Sequence, residues 1–263
     1  MNVQSEARIV FVDDDLLVVD KPPGLPTTAP DGRPCLVGLL RARMERGRLL
    51  HPSSRLDAGV SGLVAFACTR RAIHALLRAR RRGQYARRYV AIASRAPRPE
   101  QGSWRWAVGI DPRRADRRVA VQDGAAGRAA RPAETRYRLR QSSAAGPAWL
   151  ELEPVTGRTH QLRVHAAAAG CPLLGDILYG GPRRVVLADG SVVSARRPML
   201  HCAVVELPHP RTGAPVRLHA PPPADMAEAW GRLAAGPCAS VDADDTGDEV
   251  RRPAMPNRAT RTP

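Results

Sequence analysis

The 263-residue sequence predicts an α+β fold in which helices flank a mixed, largely antiparallel β-sheet. Three observations indicate this class. Short apolar runs occur in pairs separated by turn residues, which is typical of β-hairpins. Segments with apolar residues at helical spacing lie between these pairs. No internal repeat is visible, so the length provides one large domain or two small ones.

The N-terminal half alternates strands and helices. The runs "RIVFV" and "LLVVD" predict two strands joined by the acidic turn "DDD" at 13–15, and the Pro/Gly segment 21–24 predicts a loop with a fixed path. A helix over "CLVGLLRARMER" and a strand over "GLVAFACT" follow. The segment "RRAIHALLRARRRG" has Ile73, Leu76 and Leu77 at helical spacing and ends at Gly83, and a strand over "YARRYVAIAS" comes next.

The C-terminal half starts with a segment, residues 95–135, whose Pro, Gly and Arg predict loops around one strand, "SWRWAVGI". Strands are then expected at "ETRYRLRQ" and "AWLELEPVT", and a helix over "GRTHQLRVHAAAAG" that opens after Thr156-Gly157 and closes at Gly170. The pair "MLHCAVVELPHP" and "PVRLHA" predicts a hairpin, and "ADMAEAWGRL" a last helix. We therefore expect a tail at 1–8, one folded domain at 9–235, and a disordered tail at 236–263, where apolar periodicity is lacking.

The composition points to a polyanionic partner. Lys and Arg number 41 and Asp and Glu 25, which gives a formal net charge of +16. Lys21 is the only lysine, a bias that indicates a GC-rich coding sequence but does not explain the excess of basic residues. A field of this sign attracts nucleic acid.

The cysteines and the apolar runs bear on the compartment. Five cysteines, odd in number and without a CxxC pair, are typical of a reduced, cytoplasmic protein with neither a disulfide framework nor a zinc site. No charged-then-apolar leader opens the chain, and no run of ~18 apolar residues occurs, so we expect neither export nor a membrane span.

The segment "SRLDAGVSG" places Asp57 between a Pro/Ser loop and a strand, with Gly59 and Gly62 close behind. Loops carried by a rigid strand often hold reacting groups. An aspartate here is also common as a turn or helix-cap residue. The segment alone leaves both interpretations open.

The segment "VTGRTHQLRVHAAAAG" predicts an anion site, because a helix N-terminus and the charges of Arg158 and Arg163 favour phosphate or carboxylate. A zinc site is disfavoured, since His160 and His165 lie about 140° apart around a helix and no carboxylate lies between them. An ordinary amphipathic helix with Leu162 in the core remains compatible with an outward Arg163.

The third candidate segment is a basic cluster. Eight arginines and no acid fall between positions 70 and 88, with Tyr85 and Tyr89 close by. Arginines of this density can bind several phosphates, and tyrosines among them suit base stacking. For Tyr89, a place in the core of a strand is the alternative.

Together these segments resemble the RluA-type pseudouridine synthases. The matching stretches run in the family's order over about residues 9–220: "VVDKPPGLP", "SRLDAGVSGLVAFA", "RRYVAIA", "VTGRTHQLRVHAAAAGCPLLGDILYGG" and "MLHCAVVELPHP". The resemblance implies a sheet split by a catalytic cleft and the isomerisation of uridine in rRNA or tRNA to pseudouridine, without cofactor or metal. A monomer is the default expectation.

Carried over by position, the resemblance implies that Asp57 is the catalytic aspartate, Tyr89 the active-site tyrosine and Arg163 the arginine that pairs with the aspartate. Leu162 falls near the target base. RNA contacts are expected from six residues: Arg55, Leu162, Arg158, His160, Arg87 and Arg88.

Two positions depart from the family. Ser54 replaces the usual His and Val60 the usual Thr, while Arg88 replaces a frequent Lys. One alternative is therefore an inactive RNA-binding protein of the same fold, such as a ribosome assembly factor, although Asp57, Tyr89 and Arg163 are all kept. Another alternative, a metal-dependent nucleic-acid hydrolase, needs an acidic cluster, and the predicted turn at 13–15 is the only acidic run in the part of the chain expected to fold.

Overall fold

The computed structural model describes residues 7–29, 32–45, 47–121, 130–235 and 238–240. Its strands are β1 (Arg8–Val12), β2 (Leu16–Lys21), β3 (His51–Pro52), β4 (Ser61–Ala67), β5 (Ala86–Ala93), β6 (Gln101–Trp104), β7 (Ala107–Asp111), β8 (Arg114–Val121), β9 (Thr135–Ser142), β10 (Ala148–Pro154), β11 (Arg184–Leu187), β12 (Val192–Ser194), β13 (Leu200–Pro208), β14 (Pro215–His219) and β15 (Cys238–Ser240). Its helices are α1 (Leu36–Arg43), α2 (Arg70–Arg81), α3 (Gln161–Ala168) and α4 (Ala224–Ala235), with a 3-10 turn at Ile177–Tyr179.

Ten strands form one mixed sheet in the order β1-β2-β4-β13-β5-β10-β9-β6, with β3 paired to β4 and β14 to β13. Every pairing in it is antiparallel except that of β4 with β13, which is parallel and joins His201 to Ser61 and Cys202 to Gly62. The predicted α+β fold with a mixed, largely antiparallel sheet is therefore confirmed. The short β4–β13 contact lies at the centre of the sheet, beside the cleft described below.

Burial explains the central strands and the helix beside them. All seven residues of β4 are buried, as expected for a strand covered on both faces. Helix α2 begins where Thr69 accepts a hydrogen bond from the Ala72 N–H at 3.1 Å, and its buried face includes Leu76. Leu77, which its spacing placed on the apolar face, is instead exposed.

The segment at 95–135 differs most from its prediction. The single strand expected at "SWRWAVGI" is two strands, β6 in the large sheet and β7 in a separate two-stranded sheet with β8. The chain turns between them, so that Trp104 stacks on Tyr137 at 4.2 Å while Trp106 meets His165 edge-on. No Gly or Pro marks this corner in the sequence.

Three predicted boundaries also shift. Helix α3 begins at Gln161 rather than after Thr156-Gly157, so Arg158 is not in its first turn. At the N-terminus, Ala7 is buried and Arg8 opens β1, so the predicted tail at 1–8 ends too late; residues 1–6 lie outside the described residues. Within the predicted tail at 236–263, residues 238–240 pair with β11, and residues 241–263 lie outside the described residues.

Candidate active site

A cleft of about 950 Å³ opens beside the centre of the large sheet. Its walls come from the loop before β4, from β5, from the loop between β10 and α3, and from the start of α3. Of the described residues, seven arginines line it but only one carboxylate, that of Asp57. Such a lining favours polyanions and leaves one negative group in a positive environment.

The loop that carries Asp57 is fixed from the opposite wall. The Thr27 hydroxyl donates to the Leu56 carbonyl and accepts from the Leu56 N–H, both at 2.9 Å. The Gly24 N–H donates to the Ala58 carbonyl at 2.8 Å. The Pro/Gly segment therefore has the fixed path that the sequence predicted, and it holds the backbone on both sides of Asp57.

Lys21 is fully buried beneath this loop. Its ammonium donates to the carbonyls of Pro22 at 2.9 Å, Leu25 at 2.7 Å and Ala58 at 3.4 Å. Burial lowers the pKa of Lys21 to about 7, although the charge of Asp57 opposes the shift. The Lys21 side chain thus links the Pro/Gly loop that follows β2 to the loop that carries Asp57.

Asp57 and Arg163 meet although 106 residues separate them. Asp57 Oδ2 accepts from Arg163 Nη1 at 3.0 Å, and the Asp57 side chain is 27% exposed. Arg163 also donates from Nε and Nη2 to the two oxygens of Asp176, each at 2.7 Å. Among the described residues, Asp57 Oδ1 has no hydrogen-bond partner, and Asp57 lines the cleft.

The buried half of this network sets the charge of the arginine. Burial alone lowers the pKa of a guanidinium, but hydrogen bonds and charge from Asp176, and then from Asp57, raise the pKa of Arg163 instead. Asp176 is only 1% exposed. Arg163 is therefore a permanent cation, and Asp176 anchors it in the orientation that reaches Asp57.

His160 closes the other side of Asp57. Its backbone is left-handed, with φ 58°, an unusual conformation for a residue other than glycine. Its Nδ1 lies 2.8 Å from the Tyr179 hydroxyl, and its Nε2 lies 3.7 Å from Asp57 Oδ2. Burial lowers the pKa of His160; the charge of Asp57 opposes this shift, and the charges of Arg163 and Arg118 add to it. The imidazole is therefore neutral at pH 7, which leaves Arg163 as the cation that neutralises Asp57.

Tyr89 lies on β5 in the wall of the same cleft, with Leu162 nearby in the lining. The Tyr89 hydroxyl accepts from Arg87 Nη1 at 3.3 Å. Burial raises the pKa of Tyr89 well above its ordinary value. The phenol is therefore protonated at neutral pH. This disfavours a role for Tyr89 as a phenolate base and leaves its ring and its hydroxyl dipole for contact with a ligand.

The other predicted RNA contacts divide into two groups. Arg55 is exposed at the cleft, and Arg158 lines it while donating to the Pro132 carbonyl at 3.1 Å. Arg88 is not in the lining, because it points away from Tyr89 on β5 and pairs with Glu206 at 2.7 Å. The predicted RNA contact of Arg88 therefore stays a prediction, and any such contact lies outside this cleft lining.

The two residues that depart from the family pattern are both buried. Val60 packs into the core, and Ser54 lies in the cleft lining, its hydroxyl without a hydrogen-bond partner in the described part of the chain. Neither replacement touches the pairing of Asp57 with Arg163.

Sequence reasoning missed four residues that support the site: Lys21, Thr27, Asp176 and Tyr179. The guanidinium of Arg163 lies over the Tyr179 ring, 4.9 Å from its centroid, so this ring covers the Asp57 pair. Asp176 and Tyr179 lie in "GDILYGG", a stretch that supported the family resemblance without a role for either residue. An acid two residues after the paired leucines Leu173 and Leu174 was the available indication.

Two further features of the described residues concern metal binding and membrane crossing. Among the described residues, no three His, Cys, Asp or Glu side chains cluster as metal ligands would. None of the described helices is long and apolar enough to cross a membrane. The "DDD" turn holds its acids in internal contacts, for example the Asp13 carboxylate, which accepts from the Leu16 N–H at 2.8 Å.

The chain is similar to known protein families and to solved structures. Residues 15–168 match the RNA pseudouridylate synthase family. The dual-specificity RNA pseudouridine synthase RluA of Escherichia coli K12 is 31% identical over 217 residues, which cover 81% of this chain and 92% of that protein. The chloroplastic RNA pseudouridine synthase 2 of Arabidopsis thaliana is 35% identical over 194 residues, 68% of this chain and 45% of that protein.

A further relative, the ribosomal large subunit pseudouridine synthase D of Xanthomonas campestris pv. campestris, is 35% identical over 233 residues, 83% of this chain and 67% of that protein. Among solved structures, human RNA pseudouridylate synthase domain containing 4 superposes with a TM-score of 0.69 at 25% identity, over 86% of this chain and 92% of that chain. The matched segments include the loop of Asp57, the strand of Tyr89 and the helix of Arg163.

Proposed function

The chain belongs to the RNA pseudouridylate synthase family, and on that premise we propose that it isomerises specific uridines of structured rRNA or tRNA to pseudouridine at the cleft around Asp57. The observation that carries the proposal is the unpaired Oδ1 of Asp57. It belongs to the only carboxylate in the described lining of an arginine-rich cleft and is held from behind by Arg163.

The reaction breaks the N1–C1′ bond, turns the uracil and joins C5 to C1′; C5 then loses its proton and N1 takes one up. An ionised Asp57 serves either of two routes: attack at C1′ as a nucleophile, or removal of the C2′ proton to give a glycal. Both routes need a carboxylate oxygen free of hydrogen bonds and directed at the ribose. The salt bridge with Arg163 uses Oδ2 and leaves Oδ1 for the sugar.

Tyr89 and Leu162 supply the wall for the base. A protonated tyrosine can stack on the uracil and offer its hydroxyl dipole once the base is detached. Closing the space around the base keeps it from escaping and keeps water from the sugar. We propose that this enclosure, rather than a phenolate, is the contribution of Tyr89.

The uridine has to leave its stack to reach Asp57, which costs about a few kcal/mol and less in a loop than in a helix. Arg55 is exposed at the cleft two residues before Asp57. We propose that it fills the vacated space or binds the flanking phosphate. Arg158, Arg87 and His160 line the same cleft and are the further proposed RNA contacts.

The remaining expectations are also proposals. We propose one catalytic domain at 9–235, supported by a core that contains both Leu16 and Ala220. The four described cysteines are free thiols, which supports a reduced, cytoplasmic compartment. We further propose a monomer that works without metal or cofactor, since the chemistry above uses only a carboxylate, a guanidinium and a phenol.

The proposal is tested with Asp57→Asn, which keeps the size and polarity of the side chain and removes its charge. Release of tritium from RNA that contains [5-³H]uridine reports the C5–H exchange of the reaction. We expect release by the wild-type chain and none by Asp57→Asn, while both bind the RNA. The charge-matched control is Asp14→Asn, since Asp14 is 83% exposed on the distant acidic turn.

Two results would contradict the proposal. Tritium release by Asp57→Asn near the wild-type rate would remove Asp57 from the reaction. Binding without release by the wild-type chain, on total rRNA and tRNA alike, would favour the inactive RNA-binding protein.

A further inference from the structure

Two arginines converge on one glycine at the rim of the cleft, and a third arginine directly follows this glycine in the chain. Arg80 comes from the last turn of α2, Arg87 from β5, and Arg158 from the loop between β10 and α3, directly after Gly157. All four residues line the cleft. Different elements thus bring three cations to one place, where mutual repulsion disfavours them unless an anion joins them.

The glycine is what lets them approach. A Cβ atom at Gly157 would collide with Arg80 Nη2 and would lie 3.5 Å from Arg87 Nη2. The two guanidinium groups therefore flank one small space over the Gly157 backbone. Gly157 does not have a positive φ, so its backbone conformation does not require glycine. The close approach of the arginines does.

The cations are held by neutral groups only. Arg80 Nη1 donates to the Ser53 carbonyl at 3.3 Å, Arg87 Nη1 to the Tyr89 hydroxyl at 3.3 Å, and Arg158 Nε to the Pro132 carbonyl at 3.1 Å. In the described ranges, no Asp or Glu forms an ion pair with any of the three. Burial lowers the pKa of Arg80, and the charges of Arg87 and Arg158 lower it further. The cluster is therefore positioned but not neutralised.

We propose that Arg80, Arg87 and Arg158 form a subsite for one backbone phosphate of the RNA, adjacent to the nucleotide whose ribose reaches Asp57. This inference rests on the proposed function. Guanidinium groups fit phosphate because their planar N–H donors match its oxygens in pairs. Because the guanidinium groups of Arg80 and Arg87 lie side by side, they suit one shared phosphate better than two separate phosphates.

The position of Gly157 in the protein chain limits which phosphate of the RNA can bind there. Gly157 and His160 are three residues apart, so at most ~11 Å of chain separates them. His160 lies against Asp57. The phosphate over Gly157 therefore belongs to a close neighbour of the target nucleotide. Holding it sets the register of the strand and presents one ribose to the carboxylate.

The test measures binding of a short fluorescein-labelled RNA stem-loop, with uridines in its loop, by anisotropy over a series of salt concentrations. We expect Arg80→Gln to weaken binding about tenfold at low salt. The slope of log K against log salt should become shallower by about 0.7 to 0.9, the value for one lost phosphate contact. Arg80→Lys keeps the charge and should keep most of the slope.

Gly157→Ala tests the same site without removing a charge. The added methyl group displaces the flexible end of Arg80, so we expect weaker binding in the direction of Arg80→Gln. Arg70→Gln is the matched control, because Arg70 is exposed at the other end of α2 and outside the cleft lining. It should change affinity by less than about twofold.

The subsite is refuted if Arg80→Gln and Arg70→Gln alter affinity and slope equally, or if Gly157→Ala binds like the wild type. Thermal unfolding of each variant checks that it is folded. The binding measurement does not depend on turnover. If Arg80→Gln leaves the salt slope unchanged while the wild type releases tritium, only the subsite is overturned. If Arg80→Gln makes the slope shallower but the wild type releases no tritium, only the proposed reaction is overturned.

Discussion

Replacing Asp176 by Asn tests whether a buried acid holds Arg163 for Asp57. The two carboxylate oxygens of Asp176 accept from Nε and Nη2 of Arg163 at 2.7 Å each, and the side chain is 1% exposed. Asparagine keeps one acceptor and turns an NH2 group toward a guanidinium N–H. The substitution therefore removes a charge and sets two donors against each other in a buried site.

The expected loss is large because the arginine stays charged. Breaking one side of a buried ion pair costs about 3–5 kcal/mol of the free energy of unfolding, since the other charge is left without compensation. Arg163 is still in contact with Asp57, which argues for the lower end of this range. A shifted Arg163 also misplaces Asp57, and such a misplacement reduces kcat by about a hundredfold.

Urea denaturation at pH 7 measures the free energy, and tritium release measures kcat. The control is Asp225→Asn. Asp225 binds Arg197 with the same two-oxygen geometry, at 2.7 and 2.8 Å, but is 46% exposed. A pair screened by water contributes about 0–1 kcal/mol. If Asp176→Asn loses no more free energy than Asp225→Asn, the buried anchor has no energetic role and the reasoning fails.

Two further predictions concern the scaffold. The hydrogen bond from Thr69, opposed by burial and reinforced by Arg211, lowers the pKa of Asp15 from 3.8 to about 2. The lowered pKa favours the folded state by about 2.5 kcal/mol above pH 4, and this stabilisation is lost as the pH falls from 4 to 2. The urea midpoints of wild type and Asp15→Asn should therefore differ at pH 7 and converge near pH 2. A difference that stays constant with pH would contradict the prediction. Gly62 has φ 113°, and a Cβ there would overlap the Cys202 backbone across the β4–β13 pair. Gly62→Ala should therefore lower the free energy of unfolding by about 3 kcal/mol or more. An unchanged thermal midpoint would show that the strand pair accommodates the methyl group.

The sequence was most informative where a short stretch carries its own geometry. The strands around the "DDD" turn, the helix capped by Thr69 and the hairpin of β13 and β14 follow from apolar spacing and turn residues within about twenty positions. The pairing of Asp57 with Arg163 came from the family resemblance. No local pattern could have given it, because it depends on how β4, β5 and β13 assemble.

The misplaced start of α3 shows what local patterns lack. Thr156 and Gly157 look like the cap of a helix, but the Thr156 hydroxyl donates to Gln161 Oε1 at 2.7 Å, and the same oxygen accepts from the Arg158 N–H at 3.0 Å. The Gln161 side chain thus folds residues 156–160 into a loop before the helix starts. Gly157 is explained by Arg80, a residue 77 positions away, which sequence spacing does not reveal.

The network around Arg163 explains how one acid can be reactive beside so many cations. If Arg163 bound Asp57 with both of its terminal nitrogens, both carboxylate oxygens would be occupied. Asp176 takes Nε and Nη2, so only Nη1 is left for Asp57 Oδ2. His160, whose lowered pKa keeps it neutral, adds no second cation. Asp176 therefore limits Arg163 to one hydrogen bond with Asp57, and Asp57 Oδ1 is left without a partner among the described residues for the proposed contact with the ribose.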